Sequence, residues 1–115
     1  MSTAAAVLLH NAELLLDGTM ATTQPSARLS AFLARQALEE LVTQRCKALD
    51  AEMRGTTAAS KLVVLRALED PEIAVSATTA WNGLSSACHH HAYELSPTND
   101  EVRHLCRLVA DLLAR

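Results

Sequence analysis

Residues 26–50, SARLSAFLARQALEELVTQRCKALD, decide the fold. Apolar side chains recur there at Leu29, Phe32, Leu33, Ala37, Leu41, Val42, Cys46 and Leu49, in steps of three and four. Arg28, Arg35, Gln36, Glu39, Glu40 and Lys47 fill much of the other side. That period belongs to a helix and not to a strand, so the segment predicts one long amphipathic helix opened by Pro25 and Ser26. Leu38 widens the stripe beyond a coiled-coil seam. Such a helix is about 35 Å long and sets the long dimension of the molecule.

Similar signals mark the flanking segments. A first helix is expected from about Ala4 to Leu16; it is apolar over much of its circumference and stops at Asp17-Gly18. A loop, DGTMATTQP, follows over residues 17–25. Gly55 breaks the chain after the long helix, and Thr56 or Thr57 can cap a short third helix over about 58–69. Asp70-Pro71 reads as a cap and first residue of a fourth helix, expected from Glu72 to Tyr93 with Ala77, Ala80, Trp81, Leu84, Ala87, Cys88 and His91 inward. Gly83 lies inside it, where close approach of another element or a bend would tolerate it. A Ser-Pro-Thr-Asn turn at 96–99 leads to the last helix, 99–114, with Val102, Leu105, Cys106, Val109, Leu112 and Leu113 on one face. The expectation is one all-α domain over residues 1–115, a bundle of four to five helices.

Composition agrees. Of 115 residues, 19 are Leu and 21 Ala, while only Phe32, Trp81 and Tyr93 are aromatic. A core of Leu and Ala with few β-branched residues disfavours a sandwich or barrel. Net charge is −3, and neither half of the chain is basic, which disfavours DNA and anionic membrane as partners. There is no run of 18 apolar residues, and the N-terminal stretch has no basic region before its apolar part, so neither a membrane span nor a signal peptide is expected. Cys46, Cys88 and Cys106 are odd in number and lack a CxxC pair, which favours reduced thiols and a cytoplasmic setting.

The unusual local feature is SSACHHHAYE, residues 85–94. On a helical wheel His91 falls about 20° from Leu84, whereas His89 and His90 fall about 140° and 120° away to opposite sides. Three such imidazoles cannot share one metal. His91 is expected inward beside Trp81 and Cys88 as structural residues, with His89 and His90 toward solvent or a partner. A zinc set from Cys88, His91, His104 and Cys106 is opposed by His104, which points away from the face of Cys106. A thiol nucleophile from Cys46 or Cys88 with His91 lacks an oxyanion loop. No metal and no cofactor is expected.

The long early helix with its ARQALEELV stretch at 34–42, the His at the end of the penultimate helix, and the short turn into a last helix beginning Asp100-Glu101-Val102 resemble the HEPN superfamily of small helical bundles. The resemblance implies a metal-independent ribonuclease acting at a dimer interface, often the toxin of a bacterial toxin-antitoxin or defence-type system. Active members carry an Arg four to six intervening residues before the His; here positions 82–86 hold Asn, Gly, Leu, Ser and Ser. An imidazole can move protons near neutral pH, but a transferring phosphate also needs a fixed cation. The leading expectation is therefore a non-catalytic protein-interaction module, a homodimer or the partner of a small protein, with Gly83, Ala87 and His90 as its interface. The alternative is a ribonuclease using His89 or His90 with Arg103, Arg107 or Arg66 brought in from elsewhere.

Overall fold

A computed structural model describes residues 3–18, 26–48, 57–89 and 97–115. It contains five helices: α1 (Thr3–Leu16), α2 (Ser26–Ala48), α3 (Ala58–Leu68), α4 (Pro71–Cys88) and α5 (Asn99–Ala114), with no strand among the described residues. The molecule measures 41 × 30 × 25 Å. α2 is the central element, packed against all four other helices; α5 also touches α1 and α4, and α3 also touches α4. No helix is long and apolar enough to cross a membrane.

Local chemistry sets most of the boundaries. Gly18 takes φ 77°, a left-handed conformation that favours glycine, and ends α1 with its N–H donating to the Leu15 carbonyl at 3.3 Å. The Thr57 side chain accepts from the Ser60 N–H to start α3. Asp70 accepts from the Glu72 N–H at 2.9 Å, with Pro71 in the first turn of α4. Thr98 and Glu101 form a reciprocal capping box at the head of α5.

The interior differs from the expected stripe of large side chains. α2 turns Ala27, Ser30, Ala31, Ala34, Ala37, Leu38, Leu41, Val42 and Cys46 inward, and α4 turns Ala74, Ala77, Ala80, Leu84 and Ala87 inward. Leu38 sits at the centre of this face with no exposed surface, whereas Phe32 is 46% exposed and Leu29 and Leu33 are half-buried. A helix contacted from several sides must bring its neighbours close, and alanine permits that where phenylalanine does not. The buried Ser30 hydroxyl donates to the Ala12 carbonyl at 2.7 Å and so ties α2 to α1.

α4 also ends earlier than expected. His89 is extended at φ −87°, ψ 125°, and caps the helix with its N–H on the Ser85 carbonyl at 3.2 Å. The three residues after Cys88 are histidines, which rank below leucine and alanine as helix formers. A wheel extended through His89 to His91 therefore has no helix beneath it at its first residue. His90, His91 and Tyr93 lie outside the described residues.

Two arginines fasten helix ends. Arg45 pairs with Glu69 at 3.2 Å and donates to the carbonyls of Leu112 at 3.2 Å and Arg115 at 2.7 Å. Arg103 reaches Asp100 and Asp17, each at 3.4 Å, and the Leu16 carbonyl at 3.4 Å. Both place a guanidinium at a helix C-terminus, where the last carbonyls and the helix dipole favour a cation.

Candidate functional site

Along one side of α2, Arg28, Phe32 and Arg35 follow one another at helical spacing, and along the facing side of α4 so do Trp81, Ser85 and Cys88. The Arg35 guanidinium lies over the Trp81 ring, its central carbon 4.4 Å from the ring centroid. Arg28, Leu29, Phe32 and Cys88 line an open groove of about 200 Å³ between the two helices.

Three polar atoms on this seam are buried without a hydrogen-bond partner among the described residues: Nε of Arg28, Nε of Arg35 and Oγ of Ser85. Neither arginine forms an ion pair among those residues, in contrast to Arg45, Arg103 and Arg115. Two cations thus stand at the edge of the core with donors unused, beside a half-exposed aromatic ring. Burial pushes the Cys88 thiol above its ordinary range, and the charges of Arg35 and then Arg28 oppose the shift.

The residues expected to act from sequence are placed as follows. His89 is exposed at the end of α4, next in chain to Cys88. Arg103 is engaged with Asp17, Asp100 and the end of α1. Arg107 and Arg66 are exposed on α5 and on the last turn of α3. Trp81 is half-buried beneath Arg35, and Cys88 is half-buried in the groove.

Of the interface residues expected from sequence, Gly83, Ala87 and His90, the first two are among the described residues. A Cβ built on Gly83 would come within 2.7 Å of Leu105 Cδ2, and Ala87 is only 8% exposed. Gly83 thus lies against Leu105 of α5, and Ala87 belongs to the buried core cluster. His90 falls outside the described residues.

The zinc set and the thiol-nucleophile pair expected from sequence both include His91, which lies outside the described residues. No group of three or more His, Cys, Asp or Glu side chains that could hold a metal occurs among the described residues. Burial raises the Cys46 thiol against the opposing charge of Lys61, and it pushes the Cys106 thiol up to about 11. Such thiols stay protonated near neutral pH and are poor nucleophiles.

Arg28 and Arg35 were missed as functional candidates because polar residues on an amphipathic helix read as a solvated face. The available signal was their seven-residue spacing with Phe32 between them. No family model, curated protein or solved structure matches the chain.

Proposed function

We propose that this bundle is a non-catalytic protein-interaction module whose docking face is the α2–α4 seam. The observation that supports it is the placement of the aromatic residues. Both described aromatics, Phe32 and Trp81, lie outside the closed core and on this one seam, with Arg28 and Arg35 beside them. Aromatic and arginine side chains are the residues that anchor protein interfaces, because they bury large surfaces and retain a polar handle. A role in a toxin-antitoxin or defence-type system, and membership of the HEPN bundles, rest on the sequence resemblance and belong to the same proposal.

The test is a photoreactive amino acid introduced at position 32 of the chain in cells, with position 111, exposed on α5, as control. A protein adduct of discrete size at 32 and none at 111 is expected. Absence of an adduct at 32, or equal labelling at both positions, would refute the reading.

One observation favours the ribonuclease reading as an alternative. Arg28 lines the same groove as Cys88, the residue before His89, so α2 brings a cation toward the end of α4 that the local sequence lacks. Induced expression of the chain beside Arg28→Ala, His89→Ala and His90→Ala separates the two. RNA cleavage by the native chain, lost in those variants, would replace the interaction reading; intact RNA with the position-32 adduct would retain it.

A further inference from the structure

The row on α2 does not stop at Arg35. Glu39 is exposed and stands four residues further on, so Arg28, Phe32, Arg35 and Glu39 form one stripe, roughly 16 Å long at the helical rise. Arg35 and Glu39 have the spacing of an intrahelical ion pair, yet Arg35 is turned onto Trp81. Neither Glu39 nor Arg28 has an ionic partner among the described residues. The stripe reads cation, ring, cation, anion, and it is symmetric in spacing about a point midway between Leu33 and Ala34.

We infer that the occupant of this face is a second copy of the chain, docked with its α2 antiparallel to the first across a two-fold axis at that midpoint. This rests on the interaction reading above and names its partner. In that register Arg28 faces Glu39 of the second copy, and Glu39 faces Arg28. Phe32 and Arg35 face each other twice. A guanidinium has two flat faces; Trp81 covers one face of Arg35, and the ring of the second copy's Phe32 takes the other. All four residues of the row are then partnered in both copies, as an isologous interface requires.

The order of charges distinguishes this occupant from others. A parallel copy would set Arg28 against Arg28. An acidic helix or an RNA backbone would satisfy both arginines and place its own negative charge against Glu39. Only a partner with the order reversed satisfies the whole row, and the chain run backwards is such a partner.

The experiment is sedimentation over about 1 µM to about 1 mM, the range in which small interfaces dissociate. The native chain should rise from 12.4 kDa to twice that mass. Arg28→Glu and Glu39→Arg each place like charges across the axis and should remain at the single-chain mass. An equimolar mixture of these two variants restores both ion pairs and should dimerise again, which also shows that each variant is folded. A native chain that stays at 12.4 kDa throughout would overturn the inference. So would association unaffected by both reversals, or association lost in both and not recovered in the mixture. A protein adduct at position 32 combined with a native chain that never dimerises would remove the second copy as occupant and leave the interaction reading in place; absence of the adduct would remove the interaction reading itself.

Discussion

Leu38→Ala and Phe32→Ala form a pair whose ranking reverses what side-chain size alone would suggest. Leu38 has no exposed surface and lies on α2, the helix that every other helix touches. Truncation there removes the transfer free energy of the lost carbons and leaves a cavity. Nine members of the buried core cluster to which Leu38 belongs are alanines, which have no rotamers with which to move in, so the cost belongs toward the upper part of the usual range, about 3–5 kcal/mol. For a chain of this length that corresponds to a melting temperature lower by roughly 10–20 °C. Phe32 is the larger side chain but is 46% exposed and borders a groove open to solvent. Its truncation exposes little new surface and creates no closed cavity, so it should cost under about 1 kcal/mol. Urea denaturation followed by circular dichroism measures both, at low micromolar protein so that association through the α2 face adds nothing to the native state. A Phe32→Ala loss equal to that of Leu38→Ala would refute the alanine-lined interior and restore Phe32 to the core.

Further expectations concern the polar contacts. Ser30→Ala removes the only hydroxyl bond between α2 and the Ala12 carbonyl among the described residues and should cost about 1–2 kcal/mol, read as a lower urea midpoint with unchanged slope. Arg45→Met keeps the apolar stem but frees Glu69 and the last carbonyls of α5; amide exchange should accelerate in the final turn of α5 while the centre of α2 stays protected. Cys106 gives a pH test. Burial raises its thiol from 9.0 to about 11, so the unfolded chain releases this proton first; the contribution is fully present below about pH 9 and is lost as pH rises through about 11. The urea midpoint of the native chain should therefore fall between those values more steeply than that of Cys106→Ala, and equal slopes would refute the assignment.

The helix boundaries were legible where a specific residue does a specific backbone task. Asp70-Pro71, Thr57 and Gly18 each marked an end, because an accepting side chain or a left-handed residue is needed there. Phase was less legible than position. Leu29 and Phe32 dominated the sequence reading of α2, yet the inward line is centred on alanines and Leu38. Periodicity weighted by hydrophobicity favours large residues, whereas close approach of several helices favours small ones. The end of α4 was missed for a related reason: a wheel assumes that the helix persists, and nothing in three adjacent histidines announces the extended backbone at His89. Arg28 and Arg35 become candidates only because α4 runs beside them, since what distinguishes them is a buried Nε with no hydrogen-bond partner among the described residues.

The alanine face of α2 has a further consequence for how the interior can change. An alanine gives up no side-chain rotamer freedom on burial, so Ala31, Ala34 and Ala37 are ordered at a cost set by the backbone alone, while the longer Phe32 and Arg28 remain at the rim. None of these three side chains can swing aside. A methylene added at Ala31 or Ala34 must be accommodated by moving a helix axis. Such a displacement would carry Arg28, Phe32, Arg35 and Glu39 with it as one rigid row, so substitutions hidden in the interior would be felt as a change of register on the surface.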